Sequence, residues 1–466
     1  MAICFTEKPR DLGYLSETRG TIQIGGREVA YRTLASDTLL YAPDGSEMGT
    51  IFSIACLAEG ENRPVMVIFN GGPGSNSTWL ELGFLGTRLS QPDENGMPVK
   101  DGPHALRDNP DCLLDLCDLV FYNPPGAGYS RLFDEKYAPL VFGDHGDADA
   151  AEQFIRRWLE ANGRTNAPLY ILGESFGSTR ASLLAKRLSD LDLRAVVHVG
   201  PGYTGDSWTS RTLKDLVPCA ATRWYFDQNP GKGTLEDTVA EARSFLMKEY
   251  LPALYQGTML PMEEKEHIAA RLSELTGLSK EYYLENGLQV VRAEFREKLL
   301  AAEGKKIGSF DTRFTLPLDQ QADPTLAAFD PFIDAGTKLY FAEIMPEAPK
   351  REFRGNSFDM TDEFGWPFDA EADMMGYGGN WYTMKETVGD CVHAAWLKKP
   401  HLRLFFATGY FDTVATVENT RYAITHTRIP FENVTLREYA SGHAVYADDT
   451  SRHQLALDIR AFLQEE

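Results

Sequence analysis

The chain has 466 residues, 43% hydrophobic and 24% charged, with a formal net charge of −22. That balance belongs to a globular protein long enough for a large core plus an insertion, and phosphates would be repelled, so nucleic acid is excluded as a partner. No apolar run approaches the roughly 18 residues of a membrane span; the longest, at 64–69 and 194–199, have the length of buried strands.

In chain order, the opening M-A-I-C-F-T-E-K-P-R shows no apolar stretch or small-residue cleavage site, so the expected location is cytoplasmic. T-I-Q-I, R-E-V-A-Y-R-T and T-I-F-S-I-A-C-L follow as strands separated by Gly- and Asp-rich turns. The strand P-V-M-V-I-F runs into the loop N-G-G-P-G at 70–74, and D-L-V-F-Y runs into N-P-P-G-A-G-Y-S. From about 147, helices alternate with the strands P-L-Y-I-L and R-A-V-V-H-V, which implies a parallel sheet covered on both faces.

Between 202 and 385 the rhythm changes to consecutive helices, such as 238–251, 265–275 and 288–300, followed by a Pro-, Asp- and Phe-rich stretch. Near 402 the alternation resumes with L-R-L-F-F-A, a helix, V-T-L-R-E-Y and a closing helix. The expected architecture is an α/β core over 1–201 and 386–466, with a mostly parallel sheet flanked by helices. A mostly helical cap over 202–385 interrupts it.

G-E-S-F-G at 173–177 sits between a strand and a helix, the context of a nucleophile elbow in the α/β-hydrolase fold. Ser175 is the expected nucleophile. In that fold the acid and the histidine follow the serine, on loops after later strands. His443, in S-G-H-A-V, meets this order. His198 and His453 lie inside a strand and a helix, and His104 and His145 precede the serine. Asp412 ends T-G-Y-F-D at the carboxyl edge of a strand, whereas Asp448 and Asp449 suit the cap of the last helix. The oxyanion donors are expected at the backbone of Phe176 and of Gly72 in the glycine loop.

The six cysteines, Cys4, Cys56, Cys112, Cys117, Cys219 and Cys391, form no C-x-x-C pair and no zinc spacing. They are expected to be reduced core residues, and no metal or cofactor is expected.

Taken together, N-G-G-P-G, N-P-P-G-A-G-Y-S, G-E-S-F-G, T-G-Y-F-D and S-G-H resemble the serine carboxypeptidase family, in the same order along the core. The resemblance implies removal of one residue from the C-terminus of a peptide substrate through an acyl-enzyme. It also implies that Asn70, Glu174 and Glu81 (in L-E-L-G) hold the substrate's terminal carboxylate. Such a carboxylate can share a proton with a neutral carboxyl but not with an ionised one. Three features depart from the family pattern: Ser75, Asn76 and Ser77 replace the usual Cys-Ser-Ser, Phe176 replaces the usual tyrosine, and the segment from Asn70 to Glu81 is shorter than usual. Alternatives on the same fold are an aminopeptidase of the proline-iminopeptidase type, an esterase or an acyltransferase. A binding protein that has lost the chemistry is a further one.

Overall fold

The structure is a computed structural model that describes residues 13–99, 104–202, 208–227, 233–368 and 387–465. Nine strands make up the path of the main sheet: β1 (Leu15–Ile24), β2 (Arg27–Tyr41), β3 (Glu47–Ala58), β4 (Val65–Phe69), β5 (Asp118–Tyr122), β6 (Leu169–Glu174), β7 (Leu193–Val199), β8 (Arg403–Gly409) and β9 (Val434–Tyr439). Their spatial order is β1-β2-β3-β5-β4-β6-β7-β8-β9, and the short strand Arg131–Leu132 pairs with β3. Strands β1, β2 and β3 are antiparallel to their neighbours, whereas β5, β4, β6, β7, β8 and β9 run parallel. The division follows from sequence. Strand β1 alternates exposed and less exposed residues, as an edge ribbon does, whereas every residue of β4 and β6 is buried, as in a sheet covered on both faces.

Helices close both faces. On one, α1 (Asp144–Ala161), α2 (Phe176–Arg187) and α7 (Val388–Lys398) contribute Phe154, Leu184 and Val392 to a cluster with Val67 and Ile171. On the other, α8 (Asp449–Gln464) and α6 (Pro324–Ile344) bring Ile459 and Phe332 against Ile68 and Leu172. The strand order, the parallel half and the helices on both faces make this an α/β-hydrolase fold.

The insertion contains α3 (Trp208–Asp227), α4 (Leu235–Phe245) and α5 (Met262–Thr276), with shorter helices between and after them. Leu216, Phe245, Leu272 and Phe295 share a separate hydrophobic cluster that reaches the core through Phe411 and Val417. The segment also contains a two-stranded ribbon, Lys305–Ile307 with Thr315–Pro317, after the run of consecutive helices that the sequence suggested. Although α6 falls within 202–385, its apolar face (Phe329, Phe332, Ile333, Tyr340) packs on the sheet and not on the helical cluster.

Cys56, Cys112, Cys117, Cys219 and Cys391 are free and buried, and Cys4 lies outside the described residues. Among the described residues, no helix is long and apolar enough to cross a membrane, and no group of three or more His, Cys, Asp or Glu side chains could hold a metal ion.

Candidate active site

Ser175 follows the last residue of β6 and precedes the first of α2, with φ 56° and ψ −125°. A non-glycine residue in this region costs on the order of 1–3 kcal/mol and persists only where its surroundings impose it. They do so closely. The Ser175 N–H donates to the Val199 carbonyl at 3.0 Å, tying the turn to β7. A Cβ on Gly173 would lie 2.1 Å from the Gly177 carbonyl oxygen, and one on Gly177 would lie 2.8 Å from that of Phe69. Only glycines permit so tight a turn.

Below it, the fully buried Arg180 of α2 donates from Nε and Nη2 to Asp147 of α1, at 2.5 and 2.9 Å. Its Nη1 donates to the Asn70 carbonyl at 3.0 Å. One guanidinium thus ties the elbow helix to the glycine loop. Such a bidentate pair is the geometry in which a buried charge is tolerated. Nothing in the sequence around Arg180 signalled this.

His443 and Asp412 meet although 31 residues apart. Asp412 Oδ2 lies 2.7 Å from His443 Nδ1, and Asp412 Oδ1 accepts the N–H groups of Val414 and Ala415 at 2.7 and 2.9 Å. The Asp412 side chain is completely buried. Burial alone would lower the His443 pKa, but Asp412, with a smaller contribution from Glu174, outweighs it and leaves the value above that of a free histidine. The other ring nitrogen, Nε2, is buried and makes no hydrogen bond. Ser175 and His443 line one cavity of about 330 Å³.

Gly71 packs against the elbow: a Cβ there would lie 2.6 Å from the Phe176 backbone nitrogen. Phe176 is the first residue of α2, where helix N–H groups have no acceptor within the helix. Gly72, on the glycine loop, lines the cavity together with Ser175.

Asn70 and Glu174 are also brought together. The Asn70 amide donates to Glu174 Oε2, and the Tyr446 hydroxyl donates to the same oxygen at 2.6 Å. Asn70 Oδ1 accepts the Leu80 N–H at 3.1 Å, which fixes the amide's orientation. Burial pushes the Glu174 pKa up to about 7, against the opposing pull of His443 and the Tyr446 hydroxyl. Tyr446, stacked on Phe84 and three residues beyond the histidine, was not singled out in the sequence.

Glu81 does not join this corner, contrary to what the family resemblance implied. It begins the π-helical turn Glu81–Leu85, which directs the carboxyl into the core toward Tyr340 and Cys56 and not into the cavity. Its Oε1 makes no hydrogen bond, and burial raises its pKa to about 8.

A segment over 351–358 covers the glycine loop. Asn76 N–H donates to the Gly355 carbonyl at 3.0 Å and Ser357 N–H to that of Gly74 at 2.9 Å. The buried Arg131 donates to the Glu352 carbonyl. Gly355, Asn356 and Phe358 thereby become cavity wall, together with Trp79, Asp330 and Asp334.

Residues 52–195 match the family model for serine carboxypeptidase, a stretch that includes the glycine loop and the elbow. No curated protein matches the sequence. Among solved structures, proline iminopeptidase from Mycobacterium smegmatis is similar, with 11% identity over 96% of this chain and 98% of that one, at a TM-score of 0.38. A carboxylesterase structure from Nitrososphaera gargenis shows 13% identity over 92% of this chain and 99% of that one, at a TM-score of 0.40. Sheet order, elbow and family match place the chain among the hydrolases of the α/β-hydrolase superfamily.

Proposed function

We propose that the chain is a serine carboxypeptidase-type peptidase, in which Ser175 attacks the carbonyl of the last peptide bond. As its Oγ forms the bond to that carbon, the proton passes to His443 Nε2. Asp412 holds Nδ1–H and so fixes the tautomer that leaves Nε2 free to accept. The carbonyl oxygen becomes an oxyanion held by the N–H groups of Gly72 and Phe176. His443 then returns the proton to the leaving nitrogen, the C–N bond breaks, and the acyl group remains on Ser175. Water, deprotonated by the same histidine, releases it.

The observation that carries the reading is the Asn70–Glu174 pair beside the elbow. A carboxyl whose pKa has risen to about 7 is substantially protonated in neutral and acidic solution. It can then donate to a substrate carboxylate, with the Asn70 amide as the second donor. Tyr446 orients the pair. Two donors, with no lysine or arginine among the described lining residues, suit a terminal carboxylate read through a shared proton.

The test uses a dipeptide blocked at its N-terminus and free at its C-terminus. A carboxypeptidase releases its last residue, whereas an aminopeptidase, which needs a free amine, leaves it intact. Release of free amino acid is the expected result. An uncut blocked peptide, with cleavage of its unblocked counterpart at the N-terminal side, overturns the assignment.

A further inference from the structure

The cavity wall carries a charge pattern that the reaction does not require. Among the described residues, three carboxyl groups line it, from Glu174, Asp330 and Asp334, and no lysine or arginine does. Asp330 and Asp334 are one turn apart on α6, so both carboxyls project from one face of the helix. Like charges at this spacing destabilise a helix. Neither makes an ion pair among the described residues. Lys338, a further turn along, only eases the charge on Asp334.

The same cavity receives the buried, unpartnered Nε2 of His443, so a ligand belongs in it independently of the acidic pair. Partial burial and the neighbouring Asp334 raise the Asp330 pKa to about 6 against a hydrogen bond from the Trp79 side chain, a cost that a cation seated between the two would remove. Trp79 and Leu326 supply an apolar flank to the same wall. The wall adjoins the Asn70–Glu174 corner, because Trp79 immediately precedes Leu80, whose N–H is bound by Asn70.

We propose that Asp330 and Asp334 form a cation subsite, which takes the ammonium or guanidinium of a lysine or arginine side chain at the substrate's C-terminus. The placement at the C-terminus rests on the carboxypeptidase assignment; the affinity for a cation does not. The alkyl stem would lie along Trp79 and Leu326, with the charged end between the two carboxylates.

The experiment is therefore read on an ester. Hydrolysis of p-nitrophenyl acetate is measured in the presence of free L-lysine or of L-norleucine, which matches the lysine stem but lacks the ε-ammonium. On the unaltered protein, lysine is expected to inhibit about tenfold more strongly, the size of one charge-assisted hydrogen bond. D330N/D334N should bring the two inhibition constants together, with its melting temperature recorded as a check on folding. Equal inhibition of the unaltered protein overturns the subsite, and so does a lysine preference that survives the double substitution. A protein that prefers lysine but leaves blocked dipeptides uncut keeps the cation subsite and loses the carboxypeptidase assignment.

Discussion

Two buried glutamates, Glu174 and Glu81, occupy corners of the molecule that differ in one decisive respect. Both carboxyls have pKa values pushed well up by burial, to about 7 and about 8. Glu174 is hydrogen-bonded by Asn70 and Tyr446 and faces the cavity that holds Ser175 and His443. Glu81 is sealed in the core near Cys56 and Tyr340, with one oxygen unpartnered. A raised pKa therefore marks burial in both places, and only access to a reacting centre turns it into chemistry. The first corner is a candidate carboxylate reader; the second is a carboxyl that the fold tolerates protonated.

The largest effect separates the chemistry of the first corner from its binding. Ser175→Ala should lower kcat by about 10⁴-fold or more and leave the melting temperature close to that of the parent. The proposed Asn70–Glu174 contact with the terminal carboxylate does not use the serine hydroxyl, so peptide binding, followed by calorimetry, should persist. Near-parental turnover would remove the elbow from the mechanism.

The second effect concerns stability and should fall on Glu81. A carboxyl whose folded pKa lies above its unfolded value favours the folded state while protonated. That contribution is lost as pH rises from about 4.5 through about 8. Glu81→Gln removes the ionisation, so it should stabilise the protein at pH 9 relative to the parent. A gain of a few kcal/mol is the ceiling, at about 1.4 kcal/mol per pKa unit. At pH 5 the gain should be small, and kcat/KM should change little at either pH. Thermal melts at the two pH values check this; a large loss of peptidase activity in a folded Glu81→Gln protein would return Glu81 to the site.

The smallest effect sharpens the first corner. The Tyr446 hydroxyl favours the ionised form of Glu174, so Tyr446→Phe should raise the carboxyl's pKa further. The pH at which KM for a free-carboxylate peptide begins to climb should move up, by about one unit or less. A shift toward lower pH would mean that the tyrosine plays another part.

Much of this was legible in the sequence, for local reasons. Strand-to-helix context around G-E-S-F-G, and a histidine and an aspartate following later strands, singled out Ser175, His443 and Asp412, and the structure brings Ser175 and His443 to one cavity with Asp412 against the histidine. Asn70 and Glu174 came from motif resemblance, since they flank the glycine loop and the nucleophile. Glu81 failed because a motif match fixes a position along the chain but not the rotation of a side chain within a π-helical turn. Tyr446 and Arg180 were invisible for a related reason. Each acts across a distance of a hundred residues or more in sequence, from Glu174 to Tyr446 and from Asn70 to Arg180, and no local pattern records such a contact. Helix α6 was assigned to the insertion by its place in the chain, although its apolar face is used by the core sheet.

The central claim, that a protonatable carboxyl beside the elbow reads the substrate's terminal carboxylate, is tested most directly by KM as a function of pH. Two substrates are compared, an N-blocked dipeptide with a free carboxylate and the same peptide as its amide. His443 must be neutral to accept the serine proton, so turnover of both should fall together on the acid side. For the free acid, KM should rise as pH passes about 7, where Glu174 ionises, approaching tenfold per unit if the shared proton is essential. The amide offers no carboxylate to Glu174, and its KM should stay nearly flat over that range. Parallel curves for the two peptides would contradict the account.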